Sequence, residues 1–150
     1  MTLEETKNMK LSDHFTLYEM IHSATADKYD IYNIPNKYIA SQLTSLCTHI
    51  LEPIRKKYNK PIIITSGYRS DQLNKRIGGA KNSDHCTGNA VDMKAKDGNN
   101  KELWDVIMLL VLSRAIEPRL IIDEKNLSWI HISQNNKFNG YRHNQILHLK

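Results

Sequence analysis

The sequence predicts an α+β domain built on a small, mainly antiparallel sheet flanked by helices. Two long stretches before Ala115 carry apolar residues at helical spacing, a single β-branched run interrupts them, and three short strand-like runs fill the last third. Helices early and strands late describe segregated elements rather than an alternating βαβ chain.

From the N-terminus, Thr16-Leu17-Tyr18-Glu19 has the form of a capping box, in which a Thr and a Glu three residues on satisfy the orphan amides of a helix start. Between Pro35 and Tyr58, Leu43, Leu46, Cys47, Ile50, Leu51 and Ile54 form the i, i+3, i+4, i+7 stripe of a helix with one buried face. Pro53 predicts a kink or an early end, because it lacks an amide and crowds the preceding turn. Pro61 to Thr65 is short and β-branched, the pattern of a buried strand, and Ser66-Gly67-Tyr68 follows as a turn. Asp71 to Ile77 reads as a brief helix stopped by Gly78-Gly79, which suits a left-handed C-cap. Leu103, Val106, Ile107, Leu110 and Val111 place another helix over Asn99 to Ala115. Leu120 to Asp123, Ser128 to Ser133 and Gln145 to Leu149 then read as strands, with Lys125-Asn126 and Asn135 to Arg142 as turns and His143 and His148 as surface or packing residues of a last hairpin.

A length of 150 residues suits one globular domain, taken as 1–150. No run approaches the ~18 apolar residues of a membrane span, and the start, MTLEETKNMK, lacks a signal-peptide core. The expectation is a cytoplasmic monomer that does not insert into membranes. The two cysteines, Cys47 and Cys86, are too few for a disulfide framework or a cysteine-rich zinc motif, and Cys47 on the apolar stripe is a small core residue. A net charge of +5, from 21 basic and 16 acidic side chains scattered along the chain, gives mild attraction to polyanions. No zinc-finger, helix-turn-helix or aromatic-basic pattern accompanies it, so nucleic acid is not expected as a partner; anionic cell-wall material suits the charge as well, and a solvated basic surface is the plainest reading.

The stretch SDHCTGNAVD, Ser83 to Asp92, carries the chemistry. His85 and Asp92 are potential metal ligands separated by a segment that turns at Gly88 and runs on as a strand. In the strand around His131, alternation sends Trp129, His131 and Ser133 one way and Ile130 and Ile132 into the core. By the same count Asp92 and Ala90 oppose Val91 and Met93. Two strands therefore each present a ligand on the polar side of the sheet, and His85 enters from the loop. Two histidines and a carboxylate leave a fourth tetrahedral position open, the pattern of a catalytic zinc site, although such sets also suit non-haem iron and a strand histidine is commonly structural.

SDHCTGNAVD also fits the pattern Ser-x-His-x-x-Gly-x-Ala-x-Asp, and Trp129-Ile130-His131 fits Trp-x-His. With LSDHFTLYEM, PIIITSGYRS and LNKRIGGA in the same order, the chain resembles the zinc D-alanyl-D-alanine carboxypeptidase family, which includes phage L-Ala-D-Glu endolysin peptidases, over nearly its whole length. The resemblance implies the fold shared with vancomycin-resistance dipeptidases and the hedgehog signalling domain, and Zn2+ held by His85, Asp92 and His131. Such an ion lowers the pKa of water to roughly 7 and polarises the scissile carbonyl, and a general base completes the machinery. The family supplies that base just upstream of Trp-x-His; Ile121-Ile122-Asp123-Glu124 matches, which nominates Glu124 by register with Asp123 as the rival. Arg69 matches a substrate-contacting arginine, against a structural ion pair, and Ser83 either binds substrate or steadies the ligand loop. Cys86, at a variable position, is not expected to bind metal, and Trp129 either walls the cleft or packs in the core.

The implied function is hydrolysis of a D-amino-acid-containing bond in peptidoglycan stems, as a D-Ala-D-Ala carboxypeptidase or an L-Ala-D-Glu endopeptidase. An enzyme without a leader but with an extracytoplasmic substrate suits a phage or prophage lysin, with a recycling enzyme as runner-up. The rival class is a zinc-containing cell-wall-binding or virion module that has lost turnover.

Overall fold

The computed structural model describes residues 1–134 and 145–150. A single 3-10 turn, Glu5–Asn8, precedes two short helices, α1 (Leu17–Ile21) and α2 (Ala24–Lys28). The capping box of α1 is complete: Thr16 Oγ1 accepts from Glu19 N–H, and the Glu19 carboxylate accepts from Thr16 N–H. Helix α3 (Lys37–Leu46) passes through a π turn, Cys47–Leu51, into α4 (Glu52–Tyr58), which Asn59 ends in the left-handed conformation. Pro53 therefore does not bring the early end that was one of the two expectations for it. The backbone widens one turn upstream, where Glu52 N–H reaches the Cys47 carbonyl, and proline sits in the first turn of α4, where its missing amide costs least.

Strand β1 (Ile62–Ser66) leads to α5 (Asp71–Arg76), a 3-10 turn (Asp84–Thr87), β2 (Ala90–Ala95), α6 (Asn100–Leu112), β3 (Leu120–Glu124), β4 (Trp129–Ser133) and β5 (Gln145–Leu149). The five strands lie in the order β1-β2-β4-β3-β5. The sheet is mainly antiparallel, as expected, with one difference. β5 pairs in parallel with β3 at the sheet edge, so it is no hairpin partner of β4; His148 stands beside Asp123 and against the Trp104 ring. The turn expected over 135–142 and His143 lie outside the described residues.

One face of the sheet is the core. Val91 and Met93 of β2, Ile121 of β3 and Ile130 and Ile132 of β4 are fully buried, together with Leu43, Leu46 and Ile54 from the long helix and Leu103 and Ile107 from α6. Each such side chain contributes roughly 1.5–3 kcal/mol of transfer free energy. Cys47 is among them, and burial pushes its thiol up to about 12, which suits a packing residue. Because strand side chains alternate, this apolar face determines what the opposite face displays.

Candidate metal centre

Asp92 and His131 lie directly opposite one another in the β2–β4 ladder. Both side chains leave the non-core face, with Cβ atoms about 4.5–5.5 Å apart. His85 arrives from the 3-10 turn before β2, which Ser83 caps through its Oγ, accepting from His85 N–H at 3.2 Å. Gly88 ends that turn at φ +74°, and a Cβ there would lie 2.9 Å from the Ile39 carbonyl oxygen. The turn is held on its flank by an ion pair between Asp84 and Arg119.

One carboxylate oxygen, Asp92 Oδ1, stands 2.9 Å from His131 Nδ1 and 3.3 Å from His85 Nε2. Potential ligand atoms of the three residues all lie within 4.8 Å of one another. His85 Nδ1 is 2.7 Å from the Gly67 carbonyl oxygen. A carbonyl only accepts, so Nδ1 carries the proton and Nε2 presents its lone pair toward Asp92. Two ligands ~2.1 Å from a tetrahedral ion are separated by about 3.4 Å, so the spacing of His85 Nε2 and Asp92 Oδ1 fits a shared metal. Burial opposes ionisation of Asp92, but the hydrogen bond with His131 and the closeness of the His85 ring outweigh it and hold the carboxyl well below the usual range. The donor set of two imidazoles and an ionised carboxylate, buried or nearly so, fits zinc.

The second Asp92 oxygen is taken by Arg69. Nη2 of its guanidinium reaches Asp92 Oδ2 at 3.4 Å, Nη1 reaches Asn74 Oδ1 at 3.3 Å and Nε reaches Ser66 Oγ at 3.0 Å. The side chain is only 13% exposed, and the ion pair with Asp92 is its observed charged contact. Nothing in the sequence pattern pointed to Asn74, Ser66, Asp84 or Arg119, whose partners lie far along the chain or across a loop. Asn33 was also missed: buried, it donates to the Ile21 and Tyr68 carbonyls and accepts from Ser70 N–H, bracing the loop that carries Gly67 and Arg69.

The chain matches the Peptidase M15 family model over residues 13–133. It belongs to the Peptidase M15 family. Membership places it among zinc-dependent metallopeptidases acting on peptidoglycan-like substrates and agrees with the α+β sheet. No curated protein matches the chain.

In this peptidase the remaining candidates separate by strand parity. Ile122 pairs with His131 and Glu124 with Trp129, so Glu124 shares the face of the metal group. Its carboxylate enters no hydrogen bond or ion pair among the described residues. Asp123 pairs with Ile130, on the opposite face, and is engaged there by Leu127 N–H at 2.6 Å and His148 at 3.1 Å. Trp129 lies on the site face with Lys125 Nζ 5.4 Å from its ring centre, outside the core. Cys86 is not part of the metal group, and burial, aided by Asp71, raises its thiol against the pull of Arg69. Among the described residues no helix is long and apolar enough to cross a membrane.

Proposed function

We propose that His85, Asp92 and His131 hold zinc and that residues 1–150 act as one catalytic domain hydrolysing a peptide bond in the D-amino-acid-containing stems of peptidoglycan. The observation that carries this reading is the convergence of both imidazoles on Asp92 Oδ1, with the Gly67 carbonyl turning the His85 lone pair inward. Zinc bound there would supply Lewis acidity toward a peptide carbonyl and toward water.

The chain's own groups supply the rest. Asp92 brings the negative charge that the neutral imidazoles lack, and Arg69 holds its other oxygen. Glu124, whose carboxylate on the site face has no partner among the described residues, takes the proton of the attacking water and returns it to the leaving amine. Asp123 has its oxygens occupied on the other face and does not compete for that role. Ser83 acts by steadying the ligand turn through His85 N–H.

Mass spectrometry of defined muropeptides incubated with zinc-loaded protein tests the reading, with His131→Ala as the metal-poor control. Loss of a terminal D-Ala, abolished by amidating the C-terminus, identifies a carboxypeptidase. A cut between L-Ala and D-Glu that ignores amidation identifies an endopeptidase. Purified sacculi then test the phage-lysin context: stem endopeptidase activity solubilises them, whereas trimming terminal residues leaves the mesh intact. If stems, sacculi and D-Ala-D-Ala all survive the zinc-loaded wild type across pH 5–9 (about the range in which zinc-bound water and a carboxylate base operate), the peptidase reading fails.

A further inference from the structure

β1 is the edge strand nearest the metal group, and its outer side forms the floor of a groove of about 540 Å³. Ile64, Thr65 and Ser66 line the floor, Tyr18 and His22 line one wall, and Arg69 closes the end nearest Asp92. Arg69 and Ser66 therefore belong to both groove and site, which makes the two continuous.

The register shows what the floor offers. Lys96 N–H donates to the Pro61 carbonyl at 3.2 Å, while Ala95 N–H goes to Asn100 Oδ1 at 2.8 Å instead of to β1. Ile62 pairs with Ala95, Ile63 with Lys94 and Ile64 with Met93. Antiparallel partners alternate between bonded and non-bonded pairs, so Ile63 turns its amide and carbonyl to β2 while Ile62 and Ile64 turn theirs outward. Outside the β1–β2 ladder, the Ile64 N–H and C=O take no backbone hydrogen bond among the described residues. A register irregularity between Ile64 and Ser66 then ends the open edge, and Ser66 stands opposite Asp92. Such a bulge re-aims a strand, here next to the candidate ligands.

We propose that this groove receives the peptide substrate as an added strand, one residue of an extended, α-linked segment pairing with Ile64 through both its N–H and its C=O. This rests on the peptidase reading, because it assigns the groove to that site's substrate. Strand addition draws affinity from the main chain and leaves side chains on alternate sides. Recognition at Ile64 is thus indifferent to the side chain of the paired residue and sensitive to its amide. A γ-linked residue lengthens the chain and breaks strand spacing, so the paired residue lies in an α-linked part of the stem.

The test uses zinc-loaded, ¹⁵N-labelled Glu124→Gln chain, which lacks the proposed base and so holds peptide without turnover, titrated with a stem pentapeptide and with versions N-methylated at each α-amide in turn. The expected result is a shift of the Ile64 amide resonance, slower hydrogen exchange at that amide, and one N-methyl peptide that binds about two- to twelvefold more weakly, the worth of one hydrogen bond. Binding that leaves Ile64 unmoved, equal binding of every N-methyl version, or no binding overturns the proposal. The two readings fail separately. Hydrolysis by zinc-loaded enzyme with Ile64 silent removes the groove and keeps the peptidase; an Ile64 response without hydrolysis of any stem does the reverse.

Discussion

Replacing Arg69 with lysine keeps the charge and removes the fork. In the native protein three guanidinium nitrogens donate in three directions, to Asp92 Oδ2, Asn74 Oδ1 and Ser66 Oγ. An ammonium at the end of an unbranched stem reaches one of these positions at a time, so two of the three bonds are lost. Bonds involving a charged group are worth about 1.5–3 kcal/mol, and the contacts at 3.3 and 3.4 Å are long, which favours the lower figure and gives a loss of about 3 kcal/mol. For a chain of this size that is a fall in Tm of about 6–12 °C. Asp92 also loses the partner that orients its second oxygen, and losses of this kind lower metal affinity about 10- to 100-fold. Calorimetry of the metal-free proteins measures the first effect, and zinc competition against a chromophoric chelator measures the second. Arg69→Lys with wild-type Tm and zinc affinity refutes the argument. Wild-type zinc affinity combined with lost hydrolysis shows instead that Arg69 acts on the substrate.

Other outcomes follow from the same geometry. Glu124→Gln lowers hydrolysis by about 10²–10⁴-fold with zinc content unchanged, whereas Asp123→Asn keeps the rate and costs about 1 kcal/mol through its bond to Leu127 N–H, as steady-state kinetics, metal analysis and urea unfolding would show. Gly79→Ala drives a Cβ into Asn74 Oδ1 and to 3.1 Å from Arg69 Nη1, so it costs about 1–3 kcal/mol and weakens zinc binding in the same direction as Arg69→Lys. Burial disfavours the Glu52 carboxylate, but bonds from His14 and Ser12 outweigh it and lower its pKa below the ordinary 4.5. A depressed folded pKa adds stability above 4.5 that is lost as pH falls through the folded value, so the stability gap between metal-free wild type and Glu52→Gln, about 1–3 kcal/mol at neutral pH, closes below pH 4.5 in urea titrations; a gap independent of pH contradicts the assignment.

That His131 and Asp92 leave the sheet on its polar side was legible because it rests on a period of two. Ile130 and Ile132 needed burial, so His131 had to face the other way, and Val91 and Met93 did the same for Asp92. That these two residues would be direct cross-strand partners was not legible, since register depends on how the strands meet. The choice between Asp123 and Glu124 turned on the same missing quantity: once Ile122 is opposite His131, parity sends Glu124 to the site and Asp123 away from it. The parallel docking of β5 depends on the path of the chain between distant segments, which local spacing does not encode. The early end offered for Pro53 does not occur because the local rule assumes α-type hydrogen bonding upstream, and the π turn at Cys47–Leu51 relaxes that assumption. The brace around Arg69 joins single polar residues on different elements, and no periodicity marks them.

The N-terminal block LSDHFTLYEM lies outside the metal group, yet the structure connects the two through the backbone. Ser12 Oγ and His14 donate to the Glu52 carboxylate, which fastens the block to α4, and Phe15, Leu17 and Met20 anchor it in the core. The Met20 carbonyl then accepts from Tyr68 N–H at 2.7 Å, and Gly67 passes so close that a Cβ there would stand 2.1 Å from the Met20 oxygen. This contact positions the Gly67 carbonyl, which in turn accepts the Nδ1 proton of His85 and leaves Nε2 for a metal. The tautomer of His85 is thus tied to where α1 packs. A substitution that adds a side chain at Gly67 acts on the metal group without touching any of its three residues, because it displaces the one carbonyl that decides which imidazole nitrogen is bare.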